Sequence, residues 1–558
     1  MKYIVWLWRG TRNARLNIAI RILVGIGRVA LGLLTIWLSK RFIDETIRVG
    51  TDEDIVHMVS LLVASMVGSI VLRLVYYYMT GSAMVRKTNE LRLFYFGTLF
   101  RRKLFDGKEL HSGDVSSRLS KDIDNVANSM IDTLPEMAVT VIQLVGAFLL
   151  MRWFDARLAW ALLLITPVMI IVGKLISHKL KKMTLEIRDS ESKIQMLVQE
   201  GVEYNAVLRS LESENWITRH LCLKQSKLES DVLRRTRFTT VARFAIGSTF
   251  ALGYLFAFVW GGLGLRDGAI TFGMMTSFLQ LVGQIQHPIL TLLGMVPQLV
   301  HSTASIDRLD ELDTNYSNEK RQQRNSIVIQ EQLGLRLENV NFAYTQETDK
   351  NHREIIGNFS HDFAPGSKTA IMGETGKGKT TLFRLLLGFV KPDNGKILIY
   401  LKHGGDSKAC DAFRENEALV SDETRPNFVY VPQGNTLMNG SVRYNLQLAK
   451  PDATDEEMRD ALHIACADFV FDFAEGLDFE LGERGRGLSE GQAQRIAIAR
   501  GLLRPGNILL LDEISSSLDE TTEADLYKRL FASFPEKTMI FVTHRTAVCE
   551  LCDETVRL

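Results

Sequence analysis

At 558 residues the chain is too long for one ordinary hydrophobic core, so several domains are expected. Its 66 Lys and Arg nearly balance 65 Asp and Glu, and a net charge of +1 gives no basis for charge-driven nucleic-acid binding. The five cysteines, Cys222, Cys410, Cys466, Cys549 and Cys552, all fall in segments read below as cytosolic, where reduced thiols are the default.

The chain opens with Lys2, Arg9, Arg12 and Arg15 around Trp6 and Trp8, the pattern of a short helix lying on a membrane surface rather than a cleaved signal peptide. Six apolar stretches follow, at about Asn17–Ile43, Ile55–Thr80, Leu134–Trp153, Leu158–Ile176, Val241–Leu265 and Phe272–Leu293, each near the roughly 20 residues that cross a bilayer. The loops around Arg48, Asp155 and Arg266 are short and carry little basic excess. Arg86 to Lys121 and Lys179 to Arg237 are dense in Lys and Arg, which places both, with the two termini, on the cytoplasmic side. Apolar residues recur through them at helical spacing, as in Leu91, Phe94 and Leu99 and in Ile194, Leu197 and Val198, so the membrane helices are expected to run on into the cytoplasm. Turns are expected in Asp106–Asp124 and around Glu214-Asn215-Trp216.

Within the first stretch Arg28 lies seven residues beyond Arg21, about 10 Å deeper, where a charge needs a partner or a wet cavity. In the sixth, Ser277, Gln280, Gln284, His287 and Thr291 recur at three- and four-residue steps on one helical face. Inter-helix hydrogen bonding explains most such residues singly. Together with Arg28, the residues Gln280, Gln284 and His287 are read as a substrate cavity that takes an amphipathic molecule with an anionic group near Arg28. Residues 314–334 are polar and read as a linker, and the polar run from Tyr400 to Phe428 as a surface elaboration.

The rest of the chain carries phosphate chemistry. Gly373 to Thr381 matches G-x-x-x-x-G-K-[ST], between an expected strand at Lys368–Met372 and an expected helix from Thr380 to Leu387. Gly373, Gly376 and Gly378 free the backbone to point its N–H groups at an anion, with Glu374, Thr375 and Lys377 between them. Lys379 supplies a point charge, and the Thr380 hydroxyl, beside Thr381, suits Mg²⁺. Farther on, Ser489 and Gln492 form a capping-box pattern that opens a helix to Leu503. Ile508–Leu511 is too short for another helix and reads as a buried strand, which ends on Asp512 and Glu513.

On these motifs the region 335–558 resembles the nucleotide-binding domain of ATP-binding cassette (ABC) transporters. Tyr344 matches the aromatic that stacks on adenine, Gln433 the Q-loop glutamine that reaches the metal, Asp519 the D-loop aspartate and His544 the switch histidine. Leu488, Ser489, Glu490, Gly491 and Gln492 match the signature that caps the γ-phosphate held by the opposite subunit, with Glu490 where glycine is usual. The resemblance makes Glu513 the general base, with His544 and Gln433 beside it, and assigns Mg²⁺ to Thr380, Gln433 and Asp512.

Residues 1–313 resemble the exporter membrane domain, including the intracellular loop at Gly113-Asp114, Arg118-Leu119 and Asp122. Sequence and resemblance together imply a multidomain protein: an all-α six-helix transmembrane domain with long cytoplasmic extensions, then an α/β P-loop ATPase domain. They imply ATP and Mg²⁺ as cofactors, a lipid bilayer and a second half-transporter as partners, no nucleic acid, and a bacterial inner membrane. A homodimer is favoured, with a subunit of a heterodimer as the alternative. The chain ends at Leu558 soon after His544, so regulation through a C-terminal extension is not expected.

Overall fold

A computed structural model describes residues 2–100, 112–313, 327–344, 354–374, 376–401, 417–482 and 487–558, with the side chains of residues 2, 4, 112, 162–175, 177, 178 and 547 excepted. Thr375, the segment 402–416, the first part of the turn segment expected at 106–124 and most of the linker expected at 314–334 lie outside the described residues. The chain divides into two compact units, one holding the described residues up to 313 and the other those from 327.

The first unit is helical. A short helix α1 (Lys2–Gly10) precedes α2 (Arg15–Arg41), α3 (Asp52–Leu99), α4 (Leu134–Phe154), α5 (Ala156–Glu203), α6 (Glu214–Arg266) and α7 (Phe272–Asp313). Among the described residues five helices are long and apolar enough to cross a membrane, and the stretch expected to cross fourth falls within α5. At 48, 48, 53 and 42 residues, α3, α5, α6 and α7 far exceed what a bilayer needs. Local chemistry sets where they begin. Thr51 and Asp54 close a capping box at the head of α3, and the Asp155 carboxylate accepts from the amides of Arg157 and Leu158 to start α5. The turn expected around Glu214 lies just before it at Leu211–Ser213, with Glu212 at φ +51°, so Glu214 already belongs to α6.

Ile36, Ala147, Met151, Leu158, Ala257, Phe278, Leu281 and Ile285 join α2, α4, α5, α6 and α7 in one buried cluster. Gly25 lets α2 and α4 approach closely, since a Cβ there would come within 2.5 Å of the Val139 side chain. Between α3 and α4 the chain is helical from Ser112, with two five-residue π-helical stretches at Arg118–Asp122 and Ser129–Thr133. Arg118 and Asp122 turn inward to α7. Arg118 pairs with Glu311 at 2.9 Å and donates to the Arg308 carbonyl, while the buried Asp122 accepts from Ser305 at 2.8 Å and from Arg308.

The second unit holds two main sheets. Strands β1 (Leu333–Ala343), β2 (Glu354–Phe363), β4 (Asn394–Leu401) and β5 (Glu417–Leu419) form an antiparallel sheet in the order β2-β1-β4-β5. Strands β3 (Lys368–Met372), β6 (Phe428–Val431), β7 (Ile508–Asp512), β8 (Thr538–Val542) and β9 (Glu554–Arg557) form a parallel sheet in the order β9-β3-β8-β7-β6. Every residue of β7 and β8 is buried, which is why both are short, largely apolar runs rather than alternating ones. Helices α8 (Lys379–Leu386), α9 (Glu490–Leu502) and α10 (Glu520–Ser533) pack their apolar sides into the cores around these strands. Register then places the functional ends together: Val431 pairs with Leu511, Asp512 with Val542, and Val542 with Ile371. The residues that follow β3, β6, β7 and β8 therefore emerge along one carboxyl edge, where open α/β sheets bind ligands.

Candidate nucleotide site

The loop after β3 wraps through Gly376 at φ +87° and Gly378 at φ +93° into the start of α8. At Gly378 a Cβ would also come within 2.8 Å of the Ile355 side chain, so conformation and space both call for glycine. Lys379 is 93% buried, and its ammonium donates to the Gly373 carbonyl at 2.6 Å and lies 2.8 Å from His544 Nε2. Glu374, Lys377 and Thr380 are exposed, and Thr381 is buried in α8.

Glu513 follows β7 at φ +47°, a left-handed conformation that costs a non-glycine residue about 1–3 kcal/mol and that clusters at active sites. Its amide donates to the Val542 carbonyl at 2.9 Å, which fixes the turn. Both carboxylate oxygens are held: Gln433 Nε2 donates to Oε2 at 2.6 Å, and His544 Nε2 lies 3.1 Å from Oε1. His544 thus stands between Lys379 and Glu513. Unprotonated, Nε2 accepts from the Lys379 ammonium, whereas protonated it pairs with Glu513. The structure brings Lys379, Gln433, Asp512, Glu513 and His544 to one edge.

Asp512 is 97% buried. Burial, then the neighbouring Glu513 charge, push its carboxyl up to about 6, against the pull of Lys379 and a hydrogen bond from Tyr430, whose own hydroxyl burial pushes up to about 12. Between the ordinary carboxylate value and about 6 the native protein holds a proton that the unfolded chain has released. Stability therefore falls as pH rises through that window, and above it an ionised Asp512 costs about 3 kcal/mol. Asp512→Asn is expected to raise the melting temperature of the nucleotide-free protein at pH 7.5, with the gain shrinking as pH falls from 6 to 4. Equal melting temperatures at pH 7.5, measured by scanning fluorimetry, would mean that the carboxylate is solvated.

The expected signature forms a separate local structure. Ser489 Oγ accepts from the Gln492 amide at 3.2 Å while Gln492 Oε1 accepts from the Ser489 amide at 2.9 Å, and the exposed Glu490 is the first residue of α9. A Cβ at Gly491 would stand 2.7 Å from the Ser517 carbonyl, so the helix start abuts the loop before Asp519. Asp519 caps α10, and hydrogen bonds from Thr521 and Thr522 hold its carboxyl well below the usual range. Leu488 is half-buried against the core. The Tyr344 hydroxyl accepts from Arg384 at 2.8 Å and its ring stands edge-on to Phe342 at 4.9 Å, which leaves the aromatic tethered at the end of β1.

Tyr430 and Arg545 carry no motif signal and emerge only here. Arg545 reaches Glu523 and the Leu518 carbonyl at 3.1 Å, tying the turn after β8 to the Asp519 loop.

In the helical unit Arg28 already has a counter-anion. Its guanidinium lies 3.3 Å from Glu136 and 5.3 Å from the Tyr76 ring centre, so the anionic partner expected from a substrate is supplied within the chain. Gln284 accepts from Gln143, Ser277 is buried and donates back to the Gly273 carbonyl at 2.9 Å, and Gln280 and His287 are exposed. The Thr291 hydroxyl donates to the His287 carbonyl at 3.1 Å. The polar stripe therefore divides into bonded and open positions.

Residues 18–289 match the family description "ABC transporter transmembrane region" and residues 356–516 the description "ABC transporter". A putative export ATP-binding/permease protein of Rickettsia bellii is 27% identical over 575 residues, which cover 98% of this chain and 93% of that protein. A multidrug resistance ABC transporter ATP-binding and permease protein of Lactococcus lactis is 29% identical over 79% of this chain and 72% of its own length. The fold is similar to that of a bacterial Atm1-family ABC exporter solved with ATP bound, with a TM-score of 0.78, 20% identity, and coverage of 98% of this chain and 93% of that one.

Proposed function

The chain belongs to the ABC transporter family, and on that premise we propose that two copies of it form a homodimer with two composite ATP sites. It is an integral membrane protein that couples ATP hydrolysis to export. The observation that carries the site assignment is the convergence of Gln433 and His544 on the two oxygens of Glu513, with Lys379 in reach of His544.

In this reading the glycine loop and Lys379 hold the phosphates, and Tyr344 takes the adenine. Glu513, oriented by Gln433 and His544, accepts a proton from the attacking water. The oxygen atoms of Thr380, Gln433 and Asp512 are hard ligands of the kind that suit Mg²⁺, and the buried Asp512 carboxylate gains the counter-charge it lacks. Bound there, Mg²⁺ would neutralise developing charge on the phosphates. The partner subunit's Ser489 and Gly491 would close over the nucleotide, and the first-turn Glu490 must stand clear of it.

Residues 1–313 serve as membrane domain, 314–334 as linker and 335–558 as ATPase domain. The basic stretches at 86–121 and 179–237 support a cytoplasmic ATPase domain beneath a bacterial inner membrane. The substrate is an amphipathic compound taken from a cavity that includes Arg28, Gln280, Gln284 and His287. Similarity to the Lactococcus lactis multidrug resistance transporter favours drug-like molecules.

The purified chain alone in nanodiscs is expected to hydrolyse ATP. Mixing Lys379→Ala with Ser489→Ala chains should restore activity in the mixed dimers only, because one of their two sites then keeps both intact halves. A chain that stays inert until a different subunit is added would replace the homodimer with a heterodimer.

A further inference from the structure

Gln433 is exposed, and among the described residues its side chain makes one hydrogen bond, the one to Glu513. Where that amide sits is therefore set by the backbone on either side of it. Two adjacent residues of α9 hold that backbone. Upstream, a Cβ at Gly501 would come within 2.7 Å of the side chain of Val431, the buried last residue of β6, so helix and strand are in close contact two residues before Gln433. Downstream, Arg500 Nη1 donates to the Thr436 carbonyl at 3.0 Å and Nη2 to the Thr436 hydroxyl at 2.7 Å. Between these holds lies Gly434 at φ +79°, where an added Cβ would meet nothing within 4 Å. A glycine in open space does not dictate the path of the loop, so the two ends must.

The helix is a fixed reference for both holds, since Ile496, Ala497, Ile498 and Ala499 are buried in the core. Arg500 itself is half-buried and makes no ion pair among the described residues, and burial lowers its pKa with no carboxylate near enough to raise it. A cation drawn out of water without a counter-charge is costly, and here Thr436 supplies the compensation by taking both donated bonds. Such charge-assisted bonds are stronger than neutral ones, and a planar guanidinium gripping two oxygens of one residue fixes orientation as well as position. Beyond Thr436 the chain is pinned again, at Leu437 in the core and at Met438, whose amide donates to the buried Asn445 at 2.8 Å. Loss of the Arg500 hold therefore loosens the stretch next to Gln433 while the segment beyond it stays in place.

We propose that Arg500 is a positioning residue for ATP hydrolysis, holding the loop at Thr436 so that Gln433 stays on Glu513 and the carboxylate keeps its aim at the attacking water. This rests on the reading of Glu513 as the general base and adds a residue that acts on it through Thr436 and Gln433. Arg500 touches neither nucleotide nor water in this role. Its effect is on the rate of the chemical step and not on the binding of ATP.

The test uses the full chain in nanodiscs, with turnover across a range of ATP concentrations and nucleotide affinity measured on the same samples. Arg500→Met, which keeps much of the side chain's packing but none of its donors, is expected to lower kcat at least about tenfold with KM and nucleotide affinity changed by less than about twofold. Arg500→Lys keeps a charged donor and should come back to within about threefold of wild type. Thr436→Val loses the hydroxyl acceptor alone and should lower kcat about threefold, again without a change in KM. In a chain already carrying Glu513→Gln neither Arg500→Met nor Thr436→Val should reduce the residual turnover further, because the base they position is gone. Should Arg500→Met not fold, Thr436→Val carries the same expectations. Wild-type kcat in the folded variant, a nucleotide affinity that falls in step with kcat, or a further loss in the Glu513→Gln background would overturn the positioning role while leaving the base assignment in place. Near-normal turnover in Glu513→Gln alone would instead overturn the base assignment.

Discussion

Replacing Glu513 by Gln is expected to lower steady-state ATP turnover by at least about 100-fold, the scale of losing a positioned general base, with nucleotide affinity changed by less than about threefold. The amide keeps the shape of the side chain. Its oxygen can still accept from Gln433 Nε2 and its nitrogen can still approach His544, so the turn at φ +47° and the surrounding bonds stay in place. What goes is basicity, because an amide cannot take a proton from water at neutral pH. The nucleotide-loaded dimer should therefore accumulate in a closed form that cannot reset. Turnover in nanodiscs, read beside nucleotide binding to the same sample, separates the two quantities. Hydrolysis within about tenfold of wild type would sink the base assignment.

Lys379→Ala should fail at the earlier step. The buried Lys379 ammonium is hydrogen-bonded to the Gly373 carbonyl at the glycine loop, and hydrogen bonds to charged groups are worth about 1.5–3 kcal/mol each. Losing it should weaken ATP binding by roughly 10- to 100-fold, with turnover falling as a consequence and recovering in part at high ATP. The two variants thus make opposite patterns, one binding without turning over and the other failing to bind. Calorimetric titration that gives Lys379→Ala and wild type equal affinities would remove Lys379 from the phosphate site. The truncated chain also frees His544 Nε2 from its lysine partner, so His544 should then pair with Glu513 alone.

By itself the sequence determined what depends on short-range periodicity and neighbours. The capping box at Ser489 and Gln492 closes as its spacing requires, because donor and acceptor are three residues apart on one turn. Strands Lys368–Met372 and Ile508–Asp512 and the helices beyond them fall where apolar runs and glycines put them. Long apolar helices form for the same reason. The tertiary structure alone decided which polar groups meet. Gln433 reaches Glu513 across 80 residues, Lys379 reaches His544 across 165, and Arg28 reaches Glu136 across 108, each through strand register or helix packing that leaves no local trace. Depth along α2 pointed to Arg28 as the charge in need of a partner. Burial made Arg21 the fully enclosed one, because neighbouring helices and a π-helical carbonyl, rather than distance along the helix, set what a side chain touches.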